Sequence, residues 1–313
     1  MDYTPFLTPL EELNNCSFCP RNCYADRFSG KFGYCKSDAS FNISSICIHH
    51  GEEPVISGKN GICNIFFTNC NLQCIYCQNW QISVNRKDRK STKMPLEHVI
   101  REITSILDRG INMIGFVSPS HVIPQVKIII DVLHSLGYHP VTVYNSNGYD
   151  KPETLKSLEG ILDVFLPDFK YMDPVIAKEY SDAEDYPEIA TKALKEMYRQ
   201  KGSVLHLSDK GIAESGIVIR HLVLPGNVQN SLKVLSFIAE EISPKLHISL
   251  MSQYYPTGGV SCHPFLKRSL KKDEYQVVVN EMEKLGFSNG WIQDLDSRHN
   301  YQPDFMRKHP FEE

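Results

Sequence analysis

Long apolar runs are missing from these 313 residues: none approaches the length needed to cross a bilayer. The opening "MDYTPFLTPLEELNN" lacks the basic-then-apolar order of a secretion signal. No Gly-x-Gly-x-x-Gly follows an apolar run and no phosphate-loop lysine motif is present, which removes the usual nucleotide fingerprints. An excess of one charge is missing too. The 33 Lys and Arg against 37 Asp and Glu leave a formal −4, so neither a basic field for nucleic acid nor an anionic block exists. The basic run "NRKDRKSTK" (Asn85 to Lys93) reads as a solvated loop. No fixed-period repeat is visible. Partners of the nucleic-acid and membrane classes are therefore not expected.

Cysteine is what the chain does have. Ten of them without a signal sequence point to metal or redox chemistry in a reducing compartment, so the cytoplasm is the expected location. Residues 1–62, rich in Cys, Gly, Asn and Ser, read as a loop-dominated cap with a metal site. Residues 63–313 read as a second unit of alternating apolar runs and amphipathic stretches with a C-terminal extension. Strands are expected at Asn64 to Thr68, Asn112 to Val117, Pro140 to Asn145, Ile161 to Leu166, Gly216 to Leu224 and Leu246 to Met251. Helical text lies between and after them: "PLEHVIREITSILDRG", "VIPQVKIIIDVLHSLG", "KPETLKSLEG", a broken run from about Pro174 to Gln200, "SLKVLSFIAEEI" and "DEYQVVVNEMEKLG". Six nearly continuous apolar strands alternating with helices belong in a parallel, helix-covered sheet, the α/β class. Alternation alone does not separate an open sheet from a barrel.

The stretch "TNCNLQCIYCQNW" (Thr68 to Trp80) carries Cys70, Cys74 and Cys77 in a polar loop after the first of these strands. Thiolates at i, i+4 and i+7 can wrap one corner of a cubic iron–sulfur cluster. Four thiolates close a cluster and suit electron transfer, whereas three leave one iron open to a substrate or cofactor. Buried thiols, or a zinc site completed from elsewhere, are the competing readings. Structural cysteines rarely recur at this spacing among residues as polar as Asn69, Asn71, Gln73, Gln78 and Asn79.

With Tyr76 before the last cysteine, the motif Cys70-x-x-x-Cys74-x-x-Cys77 resembles the signature of the radical S-adenosylmethionine superfamily. The resemblance implies a partial (β/α)6 TIM-like barrel and a [4Fe–4S] cluster whose open iron is chelated by S-adenosylmethionine. It further implies reductive cleavage of that cofactor to a 5′-deoxyadenosyl radical, which abstracts hydrogen. From about Cys16 to Ile248 the chain resembles homologues of the pyruvate formate-lyase activating enzyme. "YNSNG" (Tyr144 to Gly148) resembles that group's Asp-Thr-Asn-Gly, "PDFK" (Pro167 to Lys170) its Asp-Leu-Lys, and "IRHLVLPG" (Ile219 to Gly226) its Ile-Arg-x-Val-Val-Val-Pro-Gly. These matches imply cofactor contacts at Tyr76, Asn145, Asp168, Lys170 and Arg220, with surface or capping roles as the alternative for each. All but Tyr76 stand where parallel strands end, and ligands collect at such ends. The implied partners are S-adenosylmethionine, a glycyl radical enzyme as protein substrate, and a flavodoxin- or ferredoxin-type electron donor.

One element departs from the pattern. Where the superfamily often has Gly-Gly-Glu after the second strand, this chain has "FVSPSH" (Phe116 to His121). Ser118 and Ser120, or their carbonyls, would substitute, with His121 aimed at the same mouth. The other reading is a helix entry capped by Ser118 with Pro119 in the first turn.

A second cysteine set, Cys16, Cys19, Cys23 and Cys35, stands in front. Four thiolates close either a tetrahedral zinc site or a second [4Fe–4S] cluster, and the spacing does not choose. This text also resembles the N-terminal block of relatives of the activating enzymes. Of the remaining cysteines, Cys63 reads as a packed small hydrophobe and Cys262 as a thiol near the barrel mouth open to a redox role. "HHGEEP" (His49 to Pro54) reads as a structural turn rather than a metal site.

Three functions follow. The first is a radical enzyme that activates a glycyl radical enzyme, its glycine loop entering near Ser118, Asn145 and Tyr254. The second keeps the radical chemistry for another peptide or a metabolite, as the missing Gly-Gly-Glu and the front cysteines suggest. The third, of a different class, is a non-catalytic iron–sulfur or zinc protein for electron transfer or binding, whose mark would be closed coordination.

Overall fold

The computed structural model of the chain describes residues 2–85, 92–299, 302–307 and 309–311; residues 86–91, most of the basic run, lie outside them. Among the described residues nine strands form one sheet. They are β1 (Ile43–His49), β2 (Ile62–Phe67), β3 (Met113–Val117), β4 (Val141–Asn145), β5 (Val164–Phe165), β6 (His206–Leu207), β7 (Ala213–Leu222), β8 (His247–Met251) and β9 (Gly290–Ile292). Their order is β1-β2-β3-β4-β5-β7-β8-β9, with β6 on β7. The β1–β2 and β6–β7 pairs are antiparallel and every other pair is parallel. The sheet keeps β1 and β9 as its two ends, as a partial barrel requires.

The connecting helices are α1 (Pro54–Ser57), α2 (Trp80–Ser83), α3 (Leu96–Leu107), α4 (Ile123–Ser135), α5 (Pro152–Lys156), α6 (Pro174–Ser181), α7 (Tyr186–Lys201), α8 (Val228–Phe237) and α9 (Lys272–Lys284). No helix is long and apolar enough to cross a membrane among the described residues.

All six expected strands are present, and the side-chain period of two explains the core. One face of the sheet turns Ile65, Phe116, Tyr144, Phe165 and Ile219 toward Val99 and Ile103 of α3 and Val126 and Ile129 of α4. The other face is the concave one. There Ile62, Met113, Val143, Val164 and Val218 pack with Val55 and Ile56 of α1, which closes the floor of the barrel. Each such aliphatic contributes about 1.5–3 kcal/mol by leaving water.

Two residues further along the same face, the apolar layer gives way to a polar one: Asn64, Asn145, Arg220 and Ser249. Gly115 sits in that layer because a Cβ there would collide with Asn64 Oδ1, so glycine leaves room for the asparagine to cross the barrel.

The structure departs from the expectations at several places, beyond the short unexpected elements α1, α2 and β6. Residues 43–49, placed in a loop-dominated cap, form β1. The fourth expected strand shrinks to two residues, because Ile161 and Leu162 finish the helical turn by donating to Leu158 O. There Asp163 Oδ2 accepts from Thr142 N (2.8 Å) and Thr142 Oγ1 (2.9 Å), so a side chain takes over the ladder. Finally, β9 adds a further parallel strand after α9.

Candidate active site

The three-cysteine loop begins where β2 stops. Asn69 takes a left-handed conformation (φ 67°), which an asparagine tolerates, and its N–H donates to Ile82 O at 2.7 Å. Asn85 then clamps the first cysteine, accepting from Cys70 N at 3.1 Å and donating to Cys70 O at 3.0 Å.

Each sulfur receives a hydrogen bond from a different element. Asn147 Nδ2 donates to Cys70 Sγ (3.3 Å), Ser181 Oγ at the end of α6 to Cys74 Sγ (3.0 Å), and Ser83 Oγ at the end of α2 to Cys77 Sγ (3.2 Å). Tyr76 is tied into the same web: its hydroxyl meets Tyr171 Oη at 2.6 Å, which meets Ser181 Oγ at 2.7 Å.

The polar layer is a single charge network. Arg220 donates through Nε to Asp168 Oδ1 (2.9 Å), through Nη1 to Glu52 Oε2 (3.1 Å) and through Nη2 to Asn145 Oδ1 (2.6 Å). Lys170 Nζ reaches Asp168 Oδ2 at 2.6 Å. Backbone pairing sets up this meeting. Beyond β5 the chain bridges β7 at Asp168 and Arg220, with Arg220 N to Pro167 O at 2.9 Å and Phe169 N to Arg220 O at 2.8 Å. Burial raises the Asp168 pKa, but Arg220 and Lys170 outweigh it and hold the carboxyl below its ordinary range. Burial likewise opposes the charge of Lys170, and Asp168 and Cys74 restore it, leaving the ammonium firmly protonated.

Cys70, Cys74, Cys77, Tyr76, Ser118, Asn145, Asp168, Lys170 and Arg220 all border one cavity of about 700 Å³. The structure thus brings together, from five strand ends, residues scattered over 150 positions of sequence. Ser120 is not among them. It is buried, and its hydroxyl finds no hydrogen-bond partner among the described residues. His121 is buried as well, its Nε2 on Thr68 O at 3.0 Å, so it does not face the mouth. Tyr254 is turned inward, its hydroxyl donating to Leu266 O at 2.5 Å. Ser118 adopts φ 51° ahead of a 3-10 turn and makes no side-chain capping bond, so the helix-entry reading fails for that hydroxyl.

Glu52 and Glu53 of "HHGEEP" are site residues that the sequence reading missed. Standing just before α1, they rise from the barrel floor. Glu52 Oε1 accepts from Asn64 Nδ2 (2.9 Å) and Asn145 Nδ2 (3.2 Å) while Oε2 pairs with Arg220. Burial raises the Glu53 pKa, with Arg220 opposing, and its Oε2 has no hydrogen-bond partner. A pair of carboxylates between histidines and a proline looks like any solvated turn, so the residues alone carried no signal.

Do the thiols fit an iron–sulfur cluster? Burial pushes Cys70 up to about 12 and Cys77 up to about 11, and raises Cys74 too, so these groups become thiolates only beside cationic charge such as a metal centre. Among the described residues, no three His, Cys, Asp or Glu side chains draw close enough to share one metal ion. Three thiols that border one cavity and each accept a hydrogen bond suit a multi-iron cluster, in which each cysteine binds its own iron. The donor set fits.

Comparison with known proteins agrees with this chemistry. The Radical SAM superfamily matches residues 64–235, more than half of the chain. An uncharacterized protein of Methanocaldococcus jannaschii is 28% identical over 279 residues, covering 87% of this chain and 75% of that one. Among solved structures, a domain of pyruvate-formate lyase-activating enzyme from Bacteroides vulgatus is similar at 14% identity and TM-score 0.38, over 55% of this chain and 93% of that one. Streptococcus suis SuiB bound to S-adenosylmethionine is similar at 13% identity and TM-score 0.47, over 72% of this chain and 48% of that one.

Proposed function

The chain belongs to the radical SAM superfamily, and from that premise we propose that it cleaves S-adenosylmethionine reductively and takes a hydrogen atom from a glycine of a partner protein. The observation that carries this reading is the shared cavity: three buried-loop thiols and the Asp168–Lys170–Arg220 network border the same space. A non-catalytic electron carrier falls away with membership of an enzyme superfamily.

Cys70, Cys74 and Cys77 would hold a [4Fe–4S] cluster, which when bound supplies the electron that breaks the sulfonium and yields the 5′-deoxyadenosyl radical. The protein's own residues do the rest. Lys170, with Asp168 beside it, presents a fixed cation suited to the cofactor's carboxylate. Asn145, locked by Arg220 and Glu52, offers an oriented amide. The carboxylate missing from the end of β3 has a replacement in Glu52, which reaches the same layer from the floor and suits an ammonium. The apolar layer beneath closes the floor of the cavity to water.

A glycine is the favoured hydrogen donor because the strand-end segments "YNSNG", "PDFK" and "IRHLVLPG" resemble those of the activating enzymes. A flavodoxin- or ferredoxin-type protein would deliver the electron. A second reading assigns another peptide or a metabolite, and one observation favours it: the end of β3 carries Ser118 on a left-handed turn where a carboxylate is usual.

Anaerobically reconstituted, dithionite-reduced protein given S-adenosylmethionine should release 5′-deoxyadenosine. With a candidate partner deuterated at glycine, the label should move into that product. Release without label transfer from any glycine-labelled partner supports the second reading. No release from a fully loaded, reducible protein would overturn both.

A further inference from the structure

We propose that Cys16, Cys19, Cys23 and Cys35 hold a second metal centre, an iron–sulfur cluster closed by four thiolates, against the outside of the barrel.

The four residues form one group. Cys19 lies within electrostatic reach of Cys16, Cys23 and Cys35, and Cys16 within reach of Cys35. Cys16, Cys19 and Cys35 are buried in a segment whose other residues, Arg27 apart, are half-buried or exposed. A short backbone bridge between Cys16 and Ala25 folds the segment back on itself. Gly33 then lets the chain pass so close to Cys23 that a Cβ there would lie 2.8 Å from the sulfur.

The backbone treats these sulfurs as it treats the sulfurs of the superfamily motif. In the motif loop, Leu72 N–H donates to Cys70 Sγ at 3.4 Å and Asn79 N–H faces Cys77, each donor two residues after its cysteine. In the front segment Phe18 N–H faces Cys16 and Arg21 N–H faces Cys19 with the same offset, and Tyr34 N–H donates to Cys23 Sγ at 3.2 Å. Backbone amides aimed at sulfur favour thiolates, the form that binds metal.

An independent observation asks for negative charge at this place. Arg27 is 3% exposed. Its end nitrogens go to His121 O (2.7 Å) and Cys16 Sγ (2.9 Å), not to a carboxylate. A guanidinium cannot shed its proton, and a buried cation needs a counter-charge. Neutral thiols do not provide one, whereas a metal core carrying four thiolates is anionic.

The amide pattern favours iron–sulfur over zinc, since the two-residue offset at Cys16 and Cys19 is the one at Cys70 and Cys77 of the superfamily motif. Zinc gathers four sulfurs at about 2.3 Å from one atom, and among the described residues no three cysteines converge in that way. Both cysteine sets suit cores in which each sulfur has its own iron.

The test is metal counting on the full chain, which does not depend on the radical reading. Wild-type protein reconstituted anaerobically should bind about eight irons and eight sulfides, two four-iron clusters. The Cys70→Ala, Cys74→Ala, Cys77→Ala variant should keep about four, with the Mössbauer signature of one cluster. Adding Cys19→Ser should remove them while the far-ultraviolet circular dichroism stays that of the parent. Should Cys19→Ser unfold the chain, the triple variant alone decides, by iron against zinc content. About one zinc per chain in the triple variant, or no metal at all, would overturn the proposal.

Discussion

The two cysteine segments put the same side chain under different kinds of control. The motif loop is held by the barrel, with Asn147, Ser181 and Ser83 reaching its three sulfurs from three separate elements. The front segment is held by its own backbone and by Arg27, and joins the barrel through side chains bonded to carbonyls: Arg21 to Asn71 O, Lys151 to Ser17 O and Thr154 to Phe18 O. A loop clamped by the scaffold is positioned for chemistry in the cavity. A segment organised around its own thiols depends on whatever those thiols bind, as small metal-stapled units do.

This contrast can be broken in four ways. The largest effect belongs to the motif loop: Cys74→Ala should lower 5′-deoxyadenosine release to below about one-thousandth of wild type, measured by chromatography of single-turnover reactions. Release at a tenth of wild type or more would mean that the loop does not hold the reactive centre.

Next comes the charge network. Arg220→Met leaves Glu52 buried without its cation and Asp168 with Lys170 alone, at a cost of about 3–5 kcal/mol in denaturant unfolding. Glu52→Gln in the same chain should return part of that loss. If Arg220→Met costs under about 1 kcal/mol, the network is not the closed ion system described above.

A smaller, pH-dependent effect comes from His221. It is fully buried with Nδ1 on Phe169 O (2.7 Å) and Nε2 on Ser231 Oγ (2.8 Å). Those partners suit a neutral ring whose Nδ1 donates to the carbonyl and whose Nε2 accepts from the hydroxyl. Burial pushes its pKa down to about 4 from 6.5. The unfolded chain therefore binds a proton that the folded chain refuses, and stability is full above pH 6.5 and falls as the pH drops toward 4. Each unit of that shift is worth about 1.4 kcal/mol. His221→Gln should flatten the slope of unfolding free energy against pH across this window, and an unchanged slope would assign it to other groups.

The smallest effect tests how loosely the front segment is attached. Lys151→Ala removes the contacts to Ser17 O and Asn22 Oδ1 and should cost about 0.5–1.5 kcal/mol. Hydrogen exchange should quicken over residues 16–35 and stay unchanged in β2 to β4. Faster exchange in the strands would show that the two segments do not open separately.

Most of the barrel could be read from residue order because its six parallel strands are buried on both faces and so appear as unbroken apolar runs. β1 escaped the same test. Its buried positions are Ile43, Ser45, Cys47 and His49, while Ile46 and Ile48 are only half-buried, so polarity and burial do not alternate together. His49 is covered by Phe311, at a ring distance of 4.1 Å, a contact made by the far end of the chain. In the site, Asp168, Lys170, Arg220 and Asn145 were legible because each follows an apolar run and lies where parallel strands end. Ser120, His121 and Tyr254 were misplaced because a residue one step past a strand can turn to either side, and their backbone geometry sends them inward.

By itself the sequence determined the spacing of Cys70, Cys74 and Cys77, which is local and survives any arrangement of the rest. It also determined the α/β class, because periodicity is local too. Only the tertiary structure decided that Glu52 belongs with Arg220 and Asn145, residues 168 and 93 positions away. The physical reason is that a buried charge is stable only beside its partners, and which partners those are depends on which strands the sheet places side by side.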